Sequence, residues 1–318
     1  MDSITIDSTS IEFIEYVPPN VKKVIIKNNN NLQFFDASIL PDCLTILNCF
    51  NNNIKEIIGL KNGIDDLNLS ANSFIEINCE IPESVTMLDI SGNSKLKYIP
   101  KLYNNGENIK IINMSNTSIT TIDHLHDNII KIEACRCNIS VINKLPKNLI
   151  NLKAYISTIE AINCEFPEFI EEVDLYNNSI ISCSSFPKTI KYVDLSYNNL
   201  TEIPKVHEDA EGKIDIKFNK FLNQSDIIKF ISDHPKLEIL HDVKQSEPIH
   251  TMQTRDISSF MSNLSNMTDI SPDLSDMIFT MRQNSSISIK RVREKSDKSD
   301  KMSKYNPHYI VLNKTFSF

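Results

Sequence analysis

One phrase of eleven residues recurs through the first two thirds of the chain, and it limits the possible folds more than any other feature. The phrase reads h-x-x-h-x-h-x-x-N-x-h, where h is apolar, and clear copies are LTILNCFNNNI from Leu44 and IKYVDLSYNNL from Ile190. About eleven units of 20 to 24 residues begin near residues 1, 21, 44, 64, 85, 109, 129, 149, 170, 190 and 211. The apolar alternation predicts a short strand with one buried face. Stacked units therefore predict a parallel sheet in which each repeat covers the next.

The ninth position of the phrase carries a short polar side chain in most units. A short amide reaches the backbone groups of neighbouring turns, so we expect these side chains to point inward and to satisfy groups that burial would otherwise leave without a partner. The predicted ladder consists of Asn52, Asn72, Asn93, Thr117, Cys137, Ser157, Asn178, Asn198 and Asn219.

The segments between the phrases are also regular. Position 14 of the unit is apolar in Ile14, Ile57, Ile77, Ile122, Ile142, Ile162 and Ile203. Proline stands three residues before the next unit at Pro18, Pro41, Pro82, Pro146, Pro167 and Pro187. Because proline disfavours a helix at these places, we expect extended return segments.

In its apolar positions and its ninth residue, the phrase resembles the leucine-rich repeat signature L-x-x-L-x-L-x-x-N/C-x-L, over residues 1 to about 221. The short units with proline are similar to the LP-containing subclass of bacterial effectors. The resemblance implies an α/β solenoid, a leucine-rich-repeat horseshoe with a concave parallel β-sheet and a mostly non-helical, extended convex side. It also implies a protein partner on the concave face. The 49 isoleucines and 36 asparagines indicate an AT-rich coding genome, as in the amoebal protists or large DNA viruses whose repeat proteins this chain resembles.

The pattern divides the chain into leucine-rich repeats over residues 1–221, a C-terminal capping helix and strand over 222–245, and a low-complexity, partly disordered tail over 246–318. The segment SDIIKFISDHP predicts a helix with Ser225 as its N-cap and a stop at His234 and Pro235. Leu237–Leu240 are expected to add a last strand.

The tail contains apolar residues at helical spacing, which predict two short amphipathic helices. These residues are Phe260, Leu264, Met267, Leu274, Met277, Ile278 and Met281. Three interpretations are open: helices that cover the last repeat, a disordered segment, or a helix that binds a partner. Residues 284–304 are expected to be a disordered linker, with a nuclear-localisation or phosphorylation role as the alternative, and YIVLNKTFSF at the end is expected to form one strand.

No pattern in the sequence predicts an enzyme, so no catalytic residue, cofactor or metal ligand is assigned. Cys135 and Cys137 form a C-x-C pair, but their repeat positions send Cys137 inward and Cys135 outward from the sheet. Certain effectors with similar short repeats carry a ubiquitin-ligase domain with a catalytic cysteine, whereas here no cysteine follows Cys183. The expected function is therefore a non-enzymatic protein-protein interaction scaffold, and the alternative is an adaptor or effector that recruits a ubiquitin ligase or other cellular machinery.

Composition predicts an intracellular, cytoplasmic monomer. The seven cysteines lie unevenly between Cys43 and Cys183, unlike a secreted disulfide scaffold. The N-terminal MDSITIDSTS is not a signal peptide, and no apolar run approaches the roughly 18 to 20 residues of a membrane span. The net charge of -8 disfavours nucleic acid as a partner.

One candidate binding surface combines tyrosines and carboxylates on the units from 149 to 211. It consists of Tyr155, Tyr176, Tyr192, Tyr197, Glu171, Glu172, Asp174 and Asp194. Position 7 places Tyr155 and Tyr176 on adjacent strands, about 5 Å apart. Aromatic residues of this kind are common at interface hot spots, so the hypothesis is a patch that binds a basic or amphipathic protein segment. The alternative is a solvated sheet face with cross-strand tyrosine pairs.

Overall fold

The computed structural model describes residues 2–7, 11–243, 288–291 and 310–313, and the chain divides into units Met1–Val243 and Lys244–Phe318. The strands of the first unit are β1 Ser3–Asp7, β2 Lys23–Lys27, β3 Phe34–Asp36, β4 Ile46–Asn48, β5 Glu56–Ile58, β6 Asp66–Asn68, β7 Met87–Asp89, β8 Ile111–Asn113, β9 Lys131–Glu133, β10 Val141–Ile142, β11 Asn151–Lys153, β12 Ala161–Ile162, β13 Glu172–Asp174, β14 Tyr192–Asp194, β15 Gly212–Asp215 and β16 Leu237–Leu240. Its helices are the α-helix α1, Gln224–Asp233, and the 3-10 turns Ala37–Ile39 and Tyr103–Gly106.

Twelve of these strands form one parallel sheet, in the order β1-β2-β4-β6-β7-β8-β9-β11-β13-β14-β15-β16. Each of the eleven units contributes one strand, and β16 adds the twelfth. Neighbouring strands pair residues of equal repeat position, as Val24, Leu47 and Leu67 are paired in β2, β4 and β6. The chain is thus a stack of coils, and the predicted parallel-sheet solenoid is confirmed.

The hydrophobic core lies on one side of this sheet, inside the coils. The middle residue of each short strand is buried while its two neighbours are partly exposed, and Leu47, Leu67 and Val173 are all 0% exposed. From the opposite side, the return segments contribute position 14 to the same core, for example Ile122 and Ile142. Since most coils have apolar residues at both places, each coil is covered by its neighbours.

The return segments are extended, with few helical residues. Two short parallel pairs occur among them, β3 with β5 and β10 with β12. At Pro41, Pro82 and Pro187 the proline carbonyl accepts a hydrogen bond from the N–H three residues later, at 3.1, 3.1 and 3.3 Å. These turns bring the chain directly into the next strand. The expectation of a mostly non-helical convex side is confirmed.

The helix α1 begins earlier than the sequence indicates. Its N-cap is Asn223, whose side chain accepts a hydrogen bond from the Ser225 N–H at 2.9 Å, so the assignment of Ser225 as N-cap is wrong. Both residue types are good caps, and the sequence alone favoured the serine nearer to the apolar face. The helix ends before His234, and β16 then pairs with β15 at the end of the sheet.

In the second unit, β17 Ser288–Arg291 pairs antiparallel with β18 Ile310–Asn313. The terminal strand expected from YIVLNKTFSF thus has a partner, and that partner lies inside the segment expected to be a disordered linker. The alternating SISIKRV around β17 favours a strand, and that signal is short and surrounded by charge. The two predicted helices between Phe260 and Met281 lie outside the described residues.

Candidate protein-interaction surface

Seven units end their sheet strand in the same way. Asn or Asp at position 5 accepts, through Oδ1, a hydrogen bond from the backbone N–H of position 7. The Tyr176 N–H donates to Asp174 over 3.2 Å, and the Ser196 N–H donates to Asp194 over 2.9 Å. These two residues of the predicted patch therefore stabilise the turn after the strand in addition to presenting a carboxylate on the sheet face.

Position 8, the residue directly after position 7, has a left-handed backbone in all ten units from 21 to 211, with φ between +51° and +70°. These residues are Asn28, Asn51, Ala71, Gly92, Asn116, Arg136, Ile156, Asn177, Tyr197 and Phe218. The conformation suits glycine and asparagine and costs other residues about 1 kcal/mol. The sequence analysis missed this position because its occupants vary, although Asn or Gly in five of the ten units was an available signal.

The six predicted ladder asparagines all point inward and bridge adjacent coils. In each, Nδ2 donates to a carbonyl of its own turn and to one of the preceding coil, while Oδ1 accepts a backbone N–H. Asn72, for example, donates to Cys49 at 2.7 Å and Leu69 at 3.0 Å, and accepts from Ile54 at 3.0 Å. These bonds satisfy backbone groups that the core would otherwise leave without partners.

Asn29 occupies the same ladder position and is fully buried, but the sequence analysis did not include it. Its Nδ2 donates to Lys27 at 2.8 Å and to Ile6 at 3.3 Å in the preceding coil. The unit contains one extra residue before its last apolar position, Leu32, and lies in a run of four asparagines. The run hid the register, which the alignment of Val24 and Ile26 with later units would have given.

Three central coils replace asparagine with smaller groups. Thr117 Oγ1 donates to Met114 O at 2.7 Å, Cys137 Sγ donates to the same oxygen at 3.2 Å, and Ser157 Oγ donates to Ala134 O at 3.2 Å. Each makes fewer hydrogen bonds than an asparagine does, so fewer side-chain hydrogen bonds join the adjacent coils here.

Cys135 lies outside the core cluster that contains Cys137, as its repeat position predicts, but it is only 5% exposed. Side chains at position 7 of the neighbouring strands cover it: Ser115 Oγ accepts its N–H at 3.2 Å, and the Tyr155 side chain interacts with its thiol. Burial raises the pKa of this thiol. Within the described part of the chain, no three His, Cys, Asp or Glu side chains are arranged to hold a metal ion.

Ion pairs cover much of the sheet face from β9 to β16. Lys131 pairs with Glu133, Lys153 with Glu172, Lys213 with Glu238 and Lys217 with Asp215, at 2.8 to 3.4 Å. Among the described residues of these strands, the carboxylates of Asp174 and Asp194 have no ion-pair partner. Asp174 and Asp194 occupy equivalent positions on the adjacent strands β13 and β14. Two like charges therefore lie next to each other in this half of the face.

The surroundings shift the pKa values of these groups. Burial first, and then the nearby Asp194, raise the pKa of Asp174, against hydrogen bonding by the Tyr176 N–H. Tyr192 donates its hydroxyl to Asp194 at 3.3 Å, and burial together with the charges of Asp194 and Asp174 raises its pKa to about 12. The tyrosine therefore stays protonated at neutral pH and acts as a donor beside the two carboxylates.

The aromatic side chains group differently from the predicted pair of Tyr155 and Tyr176. Tyr176 contacts Tyr197 edge-on, with 5.4 Å between ring centroids, and Tyr197 contacts Phe218 at 4.1 Å. Tyr197 is 45% exposed and Phe218 is 50% exposed. Phe218, which the sequence analysis did not select, thus extends the aromatic group onto the next coil.

Within the predicted patch, Glu171 contacts Tyr192, whose N–H donates to the Glu171 carbonyl at 3.0 Å. Glu171 stands at position 2, pairs with Lys191 at 2.7 Å, and lines a surface depression with Thr189 and His207. Glu171 lies directly before β13, and Tyr176 lies two residues after it. Tyr155, Tyr176, Tyr192, Tyr197, Glu172, Asp174 and Asp194 lie along the sheet face and its C-terminal edge.

Two observations concern the chain's environment. All seven cysteines are free thiols, from Cys43 to Cys183. In the part of the chain that the structure describes, no helix has the length and apolar character needed to cross a lipid bilayer.

No family model matches this chain, and no curated protein matches it. Solved structures do match it. YopM from Yersinia enterocolitica WA-314 is 18% identical with a TM-score of 0.46, over 76% of this chain and 64% of that one. YopM, a leucine-rich effector protein from Yersinia pestis, is 14% identical with a TM-score of 0.42, over 75% and 88% of the two chains.

The functional domain of InlJ from Listeria monocytogenes, which includes a cysteine ladder, is 15% identical with a TM-score of 0.39, over 74% of this chain and 52% of that one. The match thus spans less than two thirds of the first YopM chain and of InlJ. At these identities the likeness concerns the solenoid fold alone, which the strand order of this chain establishes independently.

Proposed function

We propose that this protein is a non-enzymatic scaffold that binds a protein partner on the exposed face of its twelve-stranded sheet. The observation that carries the proposal is the pair Asp174 and Asp194, two adjacent carboxylates without an ion-pair partner among the described residues. They lie in the half of the face from β9 to β16, where the other acidic strand residues are paired with lysine. Tyr176 and Tyr192 lie beside them. A basic or amphipathic protein segment would supply the missing cations and cover the rings.

The proposal also includes the cellular compartment and the oligomeric state of the protein. Free cysteines favour a reducing, intracellular compartment such as the cytoplasm. We propose a monomer that binds neither nucleic acid nor membrane, since polyanions would be repelled by the acidic sheet face.

Removing the two charges without disturbing the fold tests the proposal. Asn occupies position 5 in Asn48, Asn68 and Asn113, where it accepts the same N–H. The variant Asp174→Asn/Asp194→Asn should therefore keep the solenoid and lose the partner. Affinity purification with mass spectrometry would compare it with wild type, and an unchanged set of captured proteins would contradict the proposal.

A matched control removes two charges elsewhere. Glu202 and Glu208 are exposed and lie outside the sheet strands, so Glu202→Gln/Glu208→Gln makes the same change in net charge. This control should capture the same proteins as wild type. Loss of partners in both variants would indicate a general effect of charge.

The second candidate function, an adaptor or effector that recruits a ubiquitin ligase or other cellular machinery, predicts a second partner class in the same purification. Ligase subunits that stay bound to the Asp174→Asn/Asp194→Asn variant would support it. Capture of a single partner class would favour the simple scaffold.

A further inference from the structure

The left-handed position 8 divides the solenoid into two halves. From unit 21 to unit 109 its residues are Asn28, Asn51, Ala71, Gly92 and Asn116, which are small or suited to this backbone. From unit 129 to unit 211 four of the five residues are large and unsuited to it: Arg136, Ile156, Tyr197 and Phe218. The exception is Asn177, and in its unit the ring of Tyr176 from position 7 fills the row by contacting Tyr197.

These side chains bring strain without joining the core. Tyr197 and Phe218 have exposed fractions of 45% and 50%, and their rings contact each other at the surface. Backbone strain that side-chain packing does not offset is a feature of functional sites. The aromatic rings are therefore accessible to a partner.

Cations without ion pairs stand at both ends of this row. Arg136 is exposed at one end, and Lys220, at the other, lies over the Phe221 ring at 4.8 Å. Neither has an ion-pair partner among the described residues. From unit 129 to unit 211, positions 7, 8 and 10 contain no acidic residue, although the chain as a whole has a net charge of -8. One carboxylate from outside these units, that of Asp242, accepts the Phe218 N–H.

We infer that this edge row, made of Arg136, Ile156, Tyr176, Tyr197, Phe218 and Lys220, binds an extended peptide segment that is apolar in its centre and acidic at both ends. Four strand spacings of about 4.8 Å separate its end coils, so a strand-like segment of about six residues spans it. The apolar centre covers the rings, and the carboxylates pair with Arg136 and Lys220. The inference rests on the proposed scaffold function, and the edge row shares Tyr176 with the sheet-face site but includes neither Asp174 nor Asp194.

A single-stranded nucleic acid also stacks on aromatic rows and pairs with cations. The observations favour the peptide, because Asp174, Asp194 and Asp215 follow the same coils on the sheet face and repel a continuous phosphate backbone. Binding of an oligonucleotide at the edge row in preference to peptides would overturn the inference.

The test uses Tyr197→Asn/Phe218→Asn in the full chain. Asparagine is the residue that Asn51 and Asn177 place at the same left-handed position, so the variant should unfold at a temperature no lower than wild type. Random peptides displayed on phage are selected on wild type, and the recovered peptides are synthesised and titrated against both proteins. We expect acidic residues flanking an apolar centre, affinity about tenfold or more weaker for the variant, and weakening of wild-type binding between about 0.05 and 0.5 M NaCl.

The matched control is Phe13→Asn/Tyr98→Asn, which removes one phenylalanine and one tyrosine that are 63% and 71% exposed elsewhere. It should bind the peptides as wild type does. The inference is overturned if selection recovers no peptide, if the peptides are basic, or if the edge-row variant binds them equally well. Peptides that bind Asp174→Asn/Asp194→Asn normally but not the edge-row variant would support this inference even where the sheet-face proposal fails.

Discussion

At the scale of single residues, the left-handed position 8 gives the most direct stability prediction. Ile156 is β-branched and only half-buried, yet it has φ +53°. Ile156→Asn should raise the free energy of unfolding by about 1 kcal/mol, because asparagine tolerates this backbone. Urea denaturation followed by circular dichroism measures the change. The reverse substitution Asn177→Ile, at φ +53°, should lower it by a similar amount, and a destabilised Ile156→Asn would show that side-chain packing outweighs the strain.

The ladder gives a second residue-scale prediction. Asn198 is buried, donates to Leu175 and Leu195 at 3.0 and 3.1 Å, and accepts the Ile180 N–H at 3.0 Å. Asn198→Ala should lower the free energy of unfolding by about 3 kcal/mol, since three buried backbone groups lose their partner. The control is Asn199→Ala, whose side chain makes no hydrogen bond among the described residues and should change stability little. Equal effects in urea titrations would contradict a role for the ladder bonds.

The role of a single residue can be predicted from the sequence when that role requires one residue type. The inward amide demands asparagine or a close substitute, so the ladder was accessible from sequence except at Asn29, where a run of asparagines obscured the register. The left-handed turn only prefers Asn or Gly, so Tyr197 and Phe218 carried no signal of it. Burial of Cys135 depends on neighbouring strands, which one unit's sequence does not contain.

At the scale of elements, the start of α1 yields a prediction that separates two candidate caps. Asn223 accepts both the N–H and the hydroxyl of Ser225 at 2.9 Å. Asn223→Ala should lower the free energy of unfolding by about 1 kcal/mol, because the first turn loses its acceptor, whereas Ser225→Ala should cost only a few tenths. Thermal unfolding of both variants measures the difference. A larger loss from Ser225→Ala would favour the serine as the true cap.

The strands were predictable because each lies at a fixed place in a repeated pattern, and the parallel register followed from stacking equal positions. It was harder to predict from the sequence which residues of the candidate site lie together. Position numbers placed Glu171 in the patch, but they do not show that its carboxylate is already paired with Lys191. Phe218 joined the aromatic group only because the backbone turn directs position 8 toward the preceding coil's ring.

At the scale of the whole molecule, the solenoid concentrates negative charge: residues 1–245 carry 23 basic and 33 acidic residues, a net of -10. Part of this charge lies in partly buried carboxylates on the sheet. Burial is the main cause that raises the pKa of Asp66, Asp89 and Asp174 above 3.8, and neighbouring acidic groups add to it. Each of these groups therefore binds a proton more tightly in the folded state than in the unfolded state.

These shifts fix the sign of the pH dependence. A raised folded-state pKa means that lowering the pH from neutral toward about 4 stabilises the fold, since protonation removes a penalty that only the folded state bears. Asp127 acts in the opposite sense: burial tends to raise its pKa, but Lys147 and Lys144 together lower it, so its contribution is lost only below the ordinary 3.8. We expect the melting temperature to rise as the pH is lowered from 7 toward about 4 and to fall again at stronger acidity. Asp174→Asn should have a higher melting temperature than wild type at pH 7, and that temperature should depend less on pH. A wild-type melting temperature that falls steadily as the pH is lowered from 7 would contradict the view that burial of charged carboxylates on the sheet face destabilises the fold.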